Sequence, residues 1–543
     1  MSRSDVPQHR LPPSKQRRPR GARRCRSARA KAAIVGAAAA AFLVPGVAVA
    51  VSGSAASAAS NNDTSGTLKY GIDLNSTFDN DFDPGTSLND CGFTMTANIY
   101  QSIAVPGQYA ITGGVAQSWT VSNNYSTVTL HIRPNIVFSN GQPVTAADVE
   151  ASLNHTKNSP LRTSLSAIQS MTVTDPHTLV IQLNRPTAGD FMWAMTYIDG
   201  MVMPASNIPN AAKSPIGAGP FVLKSYQPGS SMLLVKNPKY WDSSAYPLHA
   251  VDFIEVTNGP QAVSALTSGA VDMIALDPEQ YTEVKNDPNI GVSITPSYDY
   301  VVLQTRNNQP PFNNTQVRAA LQYAVDRATI NKAVFAGVGR PAYQPFPTNS
   351  PGYNKKVDNS YTYQPKKAKE MLAKAGYPNG VSFKMIVPSG DTTFQRLATV
   401  LQSQLSAAGF NASIQLVPAG DLLQDVYLNG QGNALLSAEL TNGPDISNTF
   451  ESNYEPTGFV AQHLGTEDDQ IAPLIEQANT SLSPTVQGPL MQQVSATVMS
   501  QGLETPLEFE PSIIAYNKST VGGKVVAPIG QCRSNLAGIY VKK

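Results

Sequence analysis

Chemistry in a 543-residue chain needs a nucleophile with its base, an acid–base pair or a set of metal ligands, and few residues here are spaced to supply one. The sequence contains no G-x-S-x-G, no H-E-x-x-H and no glycine-rich phosphate loop. Beyond the N-terminal segment the histidines are His131, His155, His177, His249 and His463, far apart along the chain. His131 falls within a strand pattern and His177 within a turn, so both are expected in structural or solvent roles. Met192, Met195, Met201 and Met203 are spaced like a buried apolar segment and not like a soft metal site. Two cysteines, Cys91 and Cys532, lie beyond the N-terminal segment, too few for a Cys-rich metal centre. No cofactor or metal is expected, and the residues favour a binding protein over an enzyme.

The elements that must position a binding site begin after an unusual N-terminus. Residues 1–50 hold 11 of the 39 Lys and Arg and a single acid, Asp5. The remainder carries 28 basic and 37 acidic residues, a net of about −9, which does not suit nucleic acid or anionic lipid. Lys15 to Lys31 is an Arg-rich n-region and Ala32 to Ala50 an apolar, Ala-rich run, with small-residue cleavage candidates at Ala48-Val49-Ala50 and Ala56-Ser57-Ala58. This pattern predicts a signal for export, with an uncleaved membrane anchor as the alternative, since 19 largely apolar residues just suffice to span a bilayer. No lipoprotein cysteine follows the apolar run, because Cys25 precedes it. Export places the body in an oxidising space where Cys91 and Cys532 are expected to form a disulfide, two separate buried thiols being the alternative.

Val51 to Gly66 is a polar, small-residue spacer. From Leu68 the alternation Leu68, Tyr70, Ile72, Leu74 predicts a strand with one buried face. Residues 106–213 are dominated by short strands at 119–122, 127–132, 171–174 and 179–183. The last two meet at Asp175-Pro176-His177, and one helix in this region is opened by Thr145 with Asp148. Two βαβ units follow, at 251–274 and 381–417, each implying a right-handed crossover and a parallel pairing. Between them Tyr300 to Thr305 predicts a strand, Pro310-Pro311 a rigid bend, and Asn313 with Gln316 a capped helix through Val317, Ala320, Leu321, Ala324 and Ala328. Two mixed α/β lobes joined where 300–305 passes between them fit this arrangement better than one sheet.

Several stretches resemble the family 5 extracellular solute-binding proteins, the oligopeptide, dipeptide and nickel-binding receptors of ABC importers. They are Ala116-Gln117-Ser118-Trp119, Val128 to Arg133, Val137 to Val149, Gly217 to Phe221, Asn237 to Trp241, Ala265 to Asp272, Val317 to Ala320 with Ala324 to Arg327, and Ala368 to Pro378. They occur in family order from about Leu68 to Val417. Much of this signature is structural: Asn140-Gly141 turns a hairpin, Thr145 starts a helix, and Gly217 and Gly219 permit tight backbone.

The resemblance implies an α/β, two-lobed periplasmic-binding-protein-like fold of type II with an additional β-rich subdomain and hinge segments. Mapped here, 1–60 is signal and spacer, 61–105, 214–304 and 506–543 form lobe I, 106–213 its β-rich subdomain, and 305–505 lobe II. Cys91 and Cys532 then share lobe I. The implied function is an extracellular receptor, monomeric and without nucleic-acid partners, that captures a peptide-like ligand between its lobes and delivers it to an ABC permease. Receptors for a nickel chelate or an oligosaccharide, a sensor without transport, and a secreted hydrolase are the alternatives.

In peptide-binding relatives an acidic residue of lobe II within a Trp-x-Ala-Asp-Tyr type motif meets the ligand's α-amino group. The matching stretch here is Leu436-Ser437-Ala438-Glu439-Leu440, followed by Asp445, with Leu436 and Leu440 in the places of the aromatic residues. Glu439 is the first candidate anchor and Asp445 the second. Phe93, Tyr100, Trp193, Tyr298 and Tyr300 are the expected aromatic lining.

Overall fold

The computed structural model describes residues 62–63, 65–87, 92–107, 110–159, 162–257, 259–439, 447–527 and 535–543. Candidates Cys91, Cys532 and Asp445 lie outside these residues, as do the export signal and most of the spacer.

The largest sheet is threaded by two long antiparallel strands, Ile290–Thr305 and Glu504–Asn517. Their first partnership runs from Ile290 opposite Asn517 to Pro296 opposite Pro511. The register then slips, resumes with Tyr300 opposite Phe509, slips again between Val301 and Val302, and runs on to Gln304 opposite Glu504. Ser297, Tyr298 and Asp299 occupy the first break, all buried. A bulge of this kind re-aims the strand and raises its local twist, so the two halves serve different cores.

On the first side, Glu504–Asn517 pairs with Met273–Ala275, which runs parallel to Thr67–Ile72, which in turn runs parallel to Ala250–Glu255. A hairpin, Phe221–Gln227 and Ser231–Lys236, completes this half. Leu68, Tyr70, Phe221, Met232, Phe253, Met273 and Ile514 form its core. The predicted 251–274 unit is present, but its two strands flank Thr67–Ile72 and do not touch each other. On the second side, Ile290–Thr305 pairs with Ala434–Glu439, then come Val381–Ser389 and Phe410–Pro418. Here the predicted βαβ unit is formed by direct neighbours: Val381–Ser389 and Phe410–Pro418 are parallel and joined through the helix Thr392–Ala407. Asp391 caps that helix, accepting from the Phe394 amide at 3.0 Å. Val301, Leu303, Phe383, Leu401, Leu405 and Leu436 form the second core.

A separate four-stranded antiparallel sheet holds Ala116–Val121, Thr127–Ile132, Thr178–Leu183 and Ile168–Asp175. Its core includes Val128, Leu130, Phe138, Val149 and Phe191. The helix Ala146–Thr156 has the predicted capping box, in which Thr145 and Asp148 satisfy each other's backbone amides. The fold is thus the mixed α/β class expected, but one eleven-stranded sheet runs through both halves where the sequence favoured lobes without a common sheet, because the paired long strands carry the hydrogen bonding across.

The helix after the Pro310–Pro311 bend departs from expectation. Asn314, not Asn313, is the cap, accepting from the Gln316 amide at 2.9 Å, and the pattern splits into Thr315–Gln322 and Arg327–Val334. Asp326 restarts it by capping Thr329 through both amide and hydroxyl. Val317, Ala320, Leu321 and Ala324 keep the expected period, but Ala328 is exposed, and the second helix enters the same core through Ile330 and Val334 instead.

Candidate functional site

Alternation along Tyr300 to Thr305 sends Val301 and Leu303 into the second core and Tyr300, Val302 and Gln304 to the opposite face. Register then decides what joins them: Glu439 stands opposite Tyr300 on one neighbouring strand, and Glu504 opposite Gln304 on the other. The hydrogen bonds cross diagonally. Tyr300 Oη donates to Glu504 Oε1 at 3.0 Å, and Gln304 Nε2 donates to Glu439 Oε1. Tyr427 Oη donates to Gln304 Oε1 at 3.4 Å. The helix Ser447–Tyr454 lies over this face and adds two buried groups, Asn453 Nδ2 and Tyr454 Oη, that make no hydrogen bond of good geometry.

The electrostatics follow from burial. Glu439 and Glu504 are 8% and 2% exposed. Loss of water raises Glu439 to about 7, against the amides of Asn453 and Gln304, which lower it. Glu504 rises to about 8 through burial first and then the charge of Glu439, while the Tyr454 and Tyr300 hydroxyls pull it down. Tyr300 and Tyr454 are themselves driven well above the ordinary phenol range, chiefly by burial. Two carboxyl groups held apart from water, with amide and phenol neighbours, are suited to receive a cationic group: its charge offsets theirs where solvent cannot.

A third acid, Glu508, is fully buried with neither oxygen hydrogen-bonded. Burial, then Glu510, raises it to about 9, and Arg327 and Arg340 oppose this. A side chain at Gly339 would run into that carboxyl group. Glu504 and Glu508 were not singled out from sequence. The available signal was E-T-P-L-E-F-E, acids set among apolar residues in a strand pattern, and nothing in it says which face they take.

Of the expected lining, the structure brings Tyr300 and Glu439 together and sets Tyr298 two residues before them, its Oη donating to the Asn349 carbonyl at 3.3 Å. Phe93 and Tyr100 belong to the first core, where Phe93 stacks on Tyr197 with ring centroids 4.4 Å apart. Tyr100 Oη is buried without a hydrogen bond, as is Nε1 of Trp193, on the helix Ala188–Ala194. His155 pairs with Asp83 at 2.8 Å, and the His177 amide closes the predicted hairpin turn on Asp175. Among the described residues no group of three or more His, Cys, Asp or Glu is arranged to hold a metal, and no helix is long and apolar enough to cross a membrane.

The two halves of the large sheet thus pack separate cores on a shared pair of long strands, and a buried polar set lies on the face opposite the second core. Residues 110–460 match the family of bacterial extracellular solute-binding proteins, family 5 Middle, and the chain belongs to that family. It is therefore a solute-binding receptor of the kind that serves ABC importers. The glutathione-binding protein GsiB of Escherichia coli strain K12 is 26% identical over 470 residues, covering 82% of this chain and 90% of its own length. Among solved structures, the periplasmic binding protein AgaA of A. tumefaciens R10, in complex with agropinic acid, superposes with a TM-score of 0.74 at 23% identity, covering 88% of this chain and 99% of its own. DppA of Helicobacter pylori in complex with the peptide STSA gives 0.73 at 21% identity, covering 88% and 98%. At such identity these structures speak for the fold; the members of the family are binding proteins.

Proposed function

We propose that this receptor captures a peptide-like ligand carrying a free amino group, and that Glu439 receives that ammonium. The observation that carries the reading is the buried carboxyl of Glu439 on the strand beside Tyr300, supported from behind by Gln304. GsiB, named for glutathione, and DppA, solved with a peptide, point the same way. Asp445 is the second anchor, and Phe93, Tyr100, Trp193, Tyr298 and Tyr300 are assigned to the cleft lining. The lobe limits given above are part of the proposal, the register slip at Ser297 to Asp299 lying a few residues ahead of the limit at 304/305. Two ion pairs then bridge the lobes, Arg185 to Glu451 at 3.3 Å and Arg396 to Glu279 at 2.5 Å. The protein is exported, acts outside the cell as a monomer without catalytic turnover, and ties Cys91 to Cys532.

The test is a thermal-shift screen of the purified protein against short peptides, glutathione, sugars, metal chelates and agropinic acid. A ligand at a hundredfold its Kd stabilises by ~2.7 kcal/mol. Stabilisation by peptides with a free N-terminus, and none by their acetylated forms, is the expected result. Stabilisation by sugars or chelates alone defeats the peptide reading, and turnover of any ligand defeats the receptor-only reading. Exclusive stabilisation by metal chelates would favour the nickel branch of the family.

A further inference from the structure

The part of the chain from residue 397 to 517 contains thirteen acidic residues and no Lys or Arg. Within it the surface carries large apolar side chains that packing does not explain. Leu423 and Leu428 are 55% and 53% exposed at the two ends of a single wide turn, Leu423–Leu428, and Phe459 is 41% exposed. The turn is a π-helix, whose i to i+5 spacing puts Leu423 and Leu428 on one side while Val426 faces inward with Ile386, Val417 and Leu435. Tyr427 links the turn to the helix Phe459–Leu464: its ring lies 5.3 Å from that of Phe459, which in turn stacks 4.4 Å from His463.

The patch is held from beneath. The guanidinium of Arg306, 3% exposed, donates to the carbonyls of Val426, Gln431, Gly432 and His463, so one buried cation fixes both the turn and the helix. Its charge is spent inside. Outside, Asp421 precedes the turn, Asp425 lies within it, and Glu467, Asp468 and Asp469 follow the helix. Lys384, exposed on the strand Val381–Ser389, meets the loop after the turn through backbone bonds with Asn433. Through Tyr427 Oη and Gln304 the inner side of the patch reaches Glu439.

An apolar centre with an acidic rim is the arrangement of an interface whose partner brings apolar side chains among basic ones. A second copy of this chain would meet its own negative rim, and an anionic lipid surface would be repelled likewise. We propose that the face bearing Leu423, Leu428 and Phe459 docks a membrane-embedded permease subunit through an exterior segment that presents apolar side chains among Lys and Arg. This rests on the receptor reading, because a permease is the partner that such a receptor must meet.

The test places a photoreactive amino acid at Leu428 of the full chain in the producing cells and identifies the adduct by mass spectrometry, with Tyr125, exposed on the side sheet, as the control position. The expected adduct is a polytopic permease subunit joined through a Lys- or Arg-containing segment. Its yield should fall at least about fivefold when Asp421→Lys and Asp425→Lys are combined, because rim charges govern encounter. Leu423→Ser, which leaves the ring contacts of Phe459 in place, should lower it as well with little change in the melting temperature. No adduct, an adduct with a second copy or with a protein outside the membrane, or equal yield of the permease adduct from Tyr125 overturns the proposal. The ligand-induced thermal shift of the same protein is measured in parallel. A shift without a permease adduct defeats the docking face alone, whereas no shift for any ligand defeats the receptor reading.

Discussion

The strands Ile290–Thr305, Ala434–Glu439 and Glu504–Asn517 present two buried faces that differ in what they bury. One face carries Val301, Leu303, Leu436 and Leu507 against the helices Thr315–Gln322 and Thr392–Ala407. The other, reached by a one-residue step along the same strands, carries Tyr300, Gln304, Glu439 and Glu504. Both faces are closed to water, yet only the first gains from that closure. Burying apolar area stabilises by roughly 25 cal/mol per Å², while burying a carboxylate costs several kcal/mol unless it is neutralised or paired. A face that keeps two acids under those conditions is shaped by something other than stability, and the proposed capture of an ammonium by Glu439 would account for it.

The contrast can be broken most strongly on the apolar face. Leu401→Ala should destabilise by about 2 to 5 kcal/mol through lost burial and a residual cavity, read as a lowered urea midpoint, with ligand affinity of the folded fraction unchanged. A matched loss of affinity would show that the faces are not independent. Glu439→Gln should do the reverse. Affinity for amino-terminal ligands falls by roughly ten- to a hundredfold, in line with ~1.5 to 3 kcal/mol for a hydrogen bond to a charged group, while the melting temperature holds or rises. Calorimetric titration that finds unchanged preference for a free N-terminus moves the anchor elsewhere.

The polar face also predicts a pH dependence of stability. Folded-state values of about 7 for Glu439 and about 8 for Glu504 lie above the ordinary glutamate value. Between that ordinary value and the raised ones the folded protein binds more protons than the unfolded chain, so stability falls as pH rises across this window. The melting temperature should be higher at pH 5.5 than at 8.5, and Glu504→Gln should narrow the gap. A flat profile in the unmodified protein would mean that these acids are solvated in the native state. The smallest effect is local: Asp391→Ala removes the cap of the helix behind the apolar face and should cost about 1 kcal/mol with no change in ligand affinity.

Local signals made much of the fold legible. The Thr145 capping box, the strand alternation at 127–132 and 381–387, and the hairpin at Asp175 to Thr178 depend on residues within a few positions of one another, and each formed as expected. Where sequence reasoning slipped, a competing local choice won: Asn314 in place of Asn313 as cap, and Asp326 restarting a helix that the apolar period had run together. The site was less legible. Glu439 was reached through a motif, but Glu504 is 65 positions away and its placement depends on register, which no nearby residue encodes. The bulge at Ser297 to Asp299 adds to this, because a slip in pairing changes which side chains share a face.

By itself the sequence determined the class of protein, through ordered motifs, an acidic body behind an Arg-rich start, and periodicities that name helices and strands. Tertiary structure decided which acids become buried partners, because only pairing between distant strands brings Glu439 and Glu504 to one face. It also decided that Leu423, Leu428 and Phe459 stay outside while Arg306 is spent beneath them, since hydrophobicity in a sequence does not say which apolar side chains the core has room for.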